Sequence, residues 1–365
     1  MEIAGKKKKR LLKAIRICLL AAAVCVIFVF WYAYYSKNSR AYRESEKALD
    51  VAVARHLNLE GNPVKEPNEL TEEDYEKIEY MLIGVYDFPT LKPFKKLKNL
   101  KHIKFVVEWG DMNMNLDFKP LARLEKFREL SFMVVSTDSL GIATTVKKKW
   151  YEGIISLMQK LRIRSNQKEI FDLRKLKKLK NLEVLKMGHM GTSNFEVLAG
   201  FTKMVELDIG GSKITNLKPI SGLVNLEYLG LANTTIKNID AIASLTNLKE
   251  LDLGCTQITD IETVAKFTKL EKLHIHASKV RDISPIAKLN NLQTLDIYTT
   301  QISDITVLEG LTNIIELQIW NTKIRDISPL KNLKKLKSLA LYNVNTSEDQ
   351  IAELQKALPD LEILR

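Results

Sequence analysis

The stretch LQIWNTKIRDISPL, residues 317–330, has the same spacing as LDIGGSKITNLKPI (207–220), LGLANTTIKNIDAI (229–242), LDLGCTQITDIETV (251–264) and LDIYTTQISDITVL (295–308). On either side of it the chain divides into consecutive segments of 22 residues, beginning at Leu182, Met204, Leu226, Leu248, Leu270, Leu292 and Ile314, without an insertion or deletion. Within a segment apolar residues take places one, four and six, as in Leu226, Leu229 and Leu231, and then recur in steps of three at Ile236, Ile239, Ile242 and Leu245. The step of two places Leu229 and Leu231 on one face of a strand, with residues 228, 230 and 232 on the other. The steps of three fit a tight turn followed by a 3₁₀ or helical segment.

A fixed period of this length is the signature of a leucine-rich-repeat solenoid. One unit has nothing to bury its apolar edge against, whereas stacked units share a continuous core. The expected fold class is α/β: a leucine-rich-repeat solenoid with a parallel β-sheet on the concave face and short 3₁₀ or α segments on the convex face, preceded by one transmembrane helix. Two polar columns fit the stacking. Hydroxyls at the ninth place (Ser212, Thr234, Thr256, Ser278, Thr300, Thr322) are suited to satisfy backbone groups in the turn after each strand. Asn or Asp at the thirteenth (Asn194, Asn216, Asn238, Asp260, Asp282, Asp304, Asp326) is suited to cap the short helix after it.

Upstream the period loosens. Units are expected to begin at Leu100, at Phe127 and at Met158, with VVEWGDMNMNLD (106–117) and STDSLGIATTVKKKWYEG (136–153) emerging as loops around Trp109 and Trp150. The domain organisation read from these features is a basic cytoplasmic tail (1–16), a transmembrane signal-anchor helix (17–35), a partly helical juxtamembrane tether (36–66), an N-terminal helical cap (67–99), the repeats (100–335) and a C-terminal cap (336–365). The N-terminal cap opens on a capping-box pattern, Thr71 to Asp74.

The repeating unit LxxLxLxxTxIxDIxxLxxLxN, the helical opening LTEEDYEKI and the closing SEDQIAELQKALPDLEIL resemble bacterial leucine-rich-repeat proteins of the internalin-like, 22-residue class. The likeness covers residues 67–365. It implies a module that binds another protein through its concave sheet.

The location is read from the N-terminus. Residues 1–16 carry seven Lys or Arg against one acidic residue, and ICLLAAAVCVIFVFWYAYY (17–35) is a run of 19 uncharged, mostly apolar positions. That run spans a bilayer core of roughly 30 Å. The basic flank places the N-terminus in the cytoplasm and the repeats outside, as a single-pass protein of the cell membrane. The competing reading, a signal peptide cleaved after Ala41, needs an apolar run shorter than this one.

The net charge of +12 owes half its value to residues 1–16, so it is not a nucleic-acid footprint and no nucleic-acid partner is expected. Of three cysteines, Cys18 and Cys25 lie in the apolar run and Cys255 stands alone, which leaves no disulfide framework in the repeats. No hydrolase, phosphate-loop or dinucleotide motif is present, and the chain is expected not to be an enzyme.

The candidate binding residues come from the columns that face away from the core. At the seventh place Gly188, Gly210, Ala232 and Gly254 are followed by His276, Tyr298, Trp320 and Tyr342. Strands about 4.8 Å apart turn those four rings into a contiguous ladder, and exposed Trp and Tyr are frequent anchors of binding energy. Beside them the third and fifth places supply His274, Asp208, Asp252, Asp296, Glu250 and Glu316, with Glu206 in the same set. An acidic face with an aromatic end predicts a protein ligand with basic and apolar surface. The alternative is an anchored scaffold or sensor that binds a membrane neighbour or a cell-wall polymer. His274 and His276 with Asp252, Asp296 and Cys255 are residue types that hold a divalent metal, but no motif fixes their geometry. No metal or cofactor is expected.

Overall fold

The computed structural model describes residues 49–54, 57, 67–84, 91–108, 116–135 and 170–365. Among them a twelve-stranded sheet forms, every neighbouring pair parallel. It begins with three longer strands, Tyr80–Gly84 (β1), His102–Glu108 (β2) and Glu129–Val135 (β3). A separate two-stranded sheet is made by Phe171–Asp172 (β4) and Thr192–Ser193 (β6), which flank Val184–Lys186 (β5) in the chain. The main sheet continues from β5 through Glu206–Asp208 (β7), Tyr228–Gly230 (β8), Glu250–Asp252 (β9), Lys272–His274 (β10), Thr294–Asp296 (β11), Glu316–Gln318 (β12) and Ser338–Ala340 (β13) to Glu362–Leu364 (β14). Each turn of the chain adds one strand beside the last, and the register advances by 22 residues per strand across the regular repeats, as in Lys272↔Thr294.

The apolar columns form one core. Leu226, Leu229, Leu231, Ile236, Ile242 and Leu245 are all fully buried, as are their counterparts in the units on either side. Burying each such side chain contributes about 1.5–3 kcal/mol, which is available only because the next coil covers it. The convex side is built of 3₁₀ helices, among them Glu262–Lys266, Ser284–Lys288, Thr306–Gly310 and Ser328–Asn332. The thirteenth-place side chains start them: Asp260 accepts from the Glu262 amide, Asp282 from Ser284, Asp304 from Thr306 and Asp326 from Ser328, each at 2.8 Å. Proline at 285 and 329 sits at the beginning of its helix, where no backbone donor is lost. Asn194 departs from its column, since it adopts φ 62° and donates to Asp172.

The ninth-place hydroxyls tie down the turn. Those of Thr234, Thr256, Thr300 and Thr322 donate to the carbonyls of Leu231, Leu253, Ile297 and Ile319 at 2.6–2.7 Å. The residue before the ninth place is left-handed, at φ 50–55° for Asn233, Cys255, Ala277, Thr299 and Asn321. A further ladder runs along the last place of the unit, where Asn225, Asn247, Asn291 and Asn313 donate to main-chain carbonyls of the preceding coil at 2.6–3.1 Å. These bonds hold the coils in register on the flank that the sheet does not reach.

The N-terminal part differs from expectation. The helix that starts at Thr71 runs only over Glu72–Glu76, with the Thr71 amide donating to Asp74 Oδ2 at 2.8 Å. The segment after it is already a repeat: Ile78, Met81 and Ile83 are buried at places one, four and six, 22 residues before Leu100, Ile103 and Phe105. Residues 49–54, within the expected tether, are helical, and Leu49, Val53 and Leu57 join the core at this end. Tyr75 donates its hydroxyl hydrogen bond to Asp50 across the junction.

The unit expected at Met158 lies outside the described residues, as do most of the two expected loops. β3 pairs directly with β5, Glu129 opposite Val184, so nothing is interposed between them. The first loop also starts later than expected, because β2 continues to Glu108 in register with β3. The expected span, 17–35, likewise lies outside the described residues, among which no helix is long and apolar enough to cross a membrane.

The C-terminal stretch ends the stack as a helix, Glu348–Ala357, started by the Ser347 hydroxyl and packed through Ile351 and Leu354. β14 then covers β13. The expected cap, 336–365, therefore contains β13 as well.

Candidate ligand-binding face

The third and fifth places of each strand point from the sheet away from the core, and strand pairing sets them in columns. Glu250, Lys272, Thr294 and Glu316 make one row of partners, and Asp252, His274, Asp296 and Gln318 the next. The sequence-predicted residues on β9 to β12 are thus brought together. Asp208, on β7, is separated from Asp252 by the strand of Tyr228 and Gly230.

The rings at the seventh place are held by the backbone. The amides of Cys255, Ala277, Thr299 and Asn321 donate to the carbonyls of His276, Tyr298, Trp320 and Tyr342 at 2.8–3.0 Å, which fixes the separation of successive ring-bearing Cα atoms. His276 stacks on Tyr298 with centroids 4.4 Å apart and planes inclined by 12°, and Tyr298 stacks on Trp320 at 4.2 Å and 10°. Each inner ring face is covered by its neighbour. The other end of the stack rests on Gly254: a side chain there would collide with the His276 ring, so the small residue before the first ring is what lets that ring lie flat. Tyr342 stands apart from the stack, 45% exposed. The expected ladder of four rings is a slab of three and a separate tyrosine.

The carboxylates divide into spent and available groups. Asp296 is buried and lies 2.5 Å from His274 Nδ1 through Oδ2, while its Oδ1 has no partner. Glu250 pairs with Lys272 at 3.1 Å and is 4.0 Å from His274 Nε2. Glu206 pairs with Lys186 at 2.7 Å. Asp208 and Asp252 accept from the amides of Gly210 and Gly254 at 2.9 Å, and neither these two nor the exposed Glu316 makes an ion pair among the described residues. Lys186 and Lys272 share the face and were not among the sequence-predicted site residues. Their positions opposite an acidic residue one strand away, Asp208 for Lys186 and Glu250 for Lys272, were the available signal.

Burial raises the Asp208 carboxyl above its ordinary range, and the neighbouring Asp252 charge adds to it. Tyr228, beside both acids, is raised by burial and by their charge. Burial lowers His276, whose Nδ1 is enclosed without a partner. His274 behaves oppositely. Burial disfavours its cation, but the hydrogen bond from Nδ1 to Asp296 and the charges of Asp296, Asp252 and Glu250 outweigh that and raise it. His274 Nδ1 is engaged by Asp296, and the His276 ring lies flat in the stack. Among the described residues no group of three or more His, Cys, Asp or Glu is placed to hold a metal ion.

Residues 206–365 match the leucine-rich repeat region family. The chain is similar to an internalin (InlF) from Listeria monocytogenes, at 25% identity over 87% of each chain with a TM-score of 0.57. It is a leucine-rich-repeat protein similar in fold to the internalins. The functional domain of InlJ, also from Listeria monocytogenes, shares the fold at 13% identity and a TM-score of 0.54, over 87% of this chain and 58% of that one. InlJ includes a cysteine ladder, where the repeats of this chain hold Cys255 alone. An internalin C2 from Listeria monocytogenes matches at 33% identity over 49% of this chain and 76% of its own, with a TM-score of 0.45. No curated protein matches the chain. An internalin-like repeat fold of this kind supports a protein–protein interaction module.

Proposed function

We propose that this protein is a membrane-anchored, extracytoplasmic module that binds a protein ligand through the concave sheet and the aromatic slab at its C-terminal end. The observation that carries the reading is the row His276, Tyr298 and Trp320, stacked beside carboxylates that lack cations of their own, with Tyr342 exposed next to them. Such a face favours a ligand that brings Lys or Arg to Asp208, Asp252 and Glu316 and an apolar group to Tyr342 and Trp320. Anchoring rests on residues 17–35, with the N-terminus in the cytoplasm. The docking of residues 49–54 and Leu57 onto the repeats favours a ligand close to the membrane, so a scaffold or sensor for a membrane neighbour is the second reading.

The test is affinity capture from membrane and cell-surface extracts by the parent and by the Tyr298→Ala/Trp320→Ala/Tyr342→Ala variant, with circular dichroism on both. A protein retained by the parent and lost by the folded variant supports the reading. Identical retention by both sinks it. Protease digestion of intact cells tests the anchoring: the repeats should be cut from outside, and residues 1–16 should stay protected.

A further inference from the structure

A second feature lies away from the concave face, beside the 3₁₀ helices Lys119–Arg123 and Leu173–Leu176. A pocket of about 340 Å³ opens there, lined by Lys119, Arg174, Lys175, Lys177 and Lys178 together with Asp117 and Asp172. Five basic residues thus face two acidic ones, and both acids are committed. Asp172 accepts from Arg174 Nη2 at 2.6 Å, from Arg174 Nε at 2.9 Å and from Asn194 Nδ2 at 2.9 Å. The Arg174 guanidinium holds that carboxyl at a pKa of about 2. Asp117 accepts from the Lys119 amide at 3.1 Å and lies 3.9 Å from its ammonium. Lys177 and Lys178 pair with no carboxylate among the described residues.

The charges of Lys177 and Lys178 are therefore not answered within the pocket. Arg174 is fixed in orientation by Asp172 and keeps N–H donors beyond those it uses. A planar fork beside several ammonium groups suits the oxygens of phosphate. We propose that this pocket is a binding site for phosphate-bearing anions, either the phosphates of a polymer or those of a lipid headgroup. The site is independent of the concave face and of the ligand assigned to it.

The experiment is site-resolved acetylation of the purified full chain, each lysine read by mass spectrometry, so that the basic residues 1–16 do not obscure the result. Inorganic polyphosphate is one probe, and vesicles containing phosphatidylglycerol are the other. At about 0.05 M salt, where screening is weak, acetylation of Lys119, Lys177 and Lys178 should slow by about tenfold, while Lys266 and Lys288 on later 3₁₀ helices are unchanged. The Lys177→Gln/Lys178→Gln variant should lose the protection at Lys119. Protection by polyphosphate assigns a free or polymeric phosphate, and protection by vesicles alone assigns a headgroup. Equal protection at Lys266 and Lys288, or none in the pocket with either probe, overturns the site.

Discussion

Tyr298 and Trp320 stack with their ring centroids 4.2 Å apart and their planes 10° from parallel. Tyr298 is the middle ring, in contact with His276 on its other face. Each aromatic pair contributes about 0.5–1.5 kcal/mol beyond the area it buries, so Tyr298→Ala should cost roughly 1–3 kcal/mol through lost ring contacts. His276→Ala removes one contact and should cost less. Urea unfolding of both variants checks the order, and a larger loss from His276→Ala would mean that the stack is not the stabilising element.

The ring of His274 gives the fold a pH dependence. In an unfolded chain the imidazole titrates near 6.5, and in the folded chain the Asp296 hydrogen bond and the nearby carboxylates raise it against the opposing effect of burial. The protonated ring thus stabilises the fold fully below the unfolded value, and that contribution fades as the pH rises through the higher folded one. The Tm of the parent should fall relative to that of His274→Gln as the pH rises above about 6.5, the unfolded value. Parallel pH profiles for the two proteins would show that the pair does not couple to folding.

One hydroxyl column should respond in two ways. The buried hydroxyl of Thr256 donates to the Leu253 carbonyl at 2.7 Å, so Thr256→Val leaves that acceptor unpaired and should cost about 1–3 kcal/mol. The equally buried hydroxyl of Ser212 has no partner, and Ser212→Ala should be neutral or slightly stabilising. Thermal denaturation of the pair decides whether the column acts through its hydrogen bonds or through its size.

Asp208 links stability to recognition. Its folded carboxyl is raised by burial, so its charge opposes folding at neutral pH. An Asp208→Asn variant keeps an acceptor for the Gly210 amide and should have a slightly higher Tm at pH 7, while its capture of a basic ligand weakens. Undiminished capture would remove Asp208 from the binding face.

The regular coils could be read from sequence because the same places recur with nothing inserted, as Leu226, Leu229 and Leu231 do in the units on either side. The coil of Ile78, Met81 and Ile83 was hidden by the capping box before it and by Leu91, Phe94 and Leu97, whose three-residue steps suit a helix as well as a 3₁₀ turn. On the binding face the direction of His276, Tyr298 and Trp320 came from the period. Their flat stacking did not, because it depends on Gly254 lying under the first ring and on side-chain angles that no period encodes. The left-handed turn was equally hidden at Ala277 and Thr299, where neither residue type favours that conformation.

Residues 49–54 and Leu57, docked on the first coil, work as a fixed clamp. Under the proposed anchoring, only residues 36–48 join the span at 17–35 to that clamp, a length of thirteen residues. Such a chain reaches at most about 45 Å. Trp320 comes just after the tenth strand of the sheet, and nine strand spacings add about 43 Å measured along it. Under that anchoring, a ligand held by the aromatic slab lies within roughly 90 Å of the bilayer, and deleting residues from 36–48 would draw that limit inward.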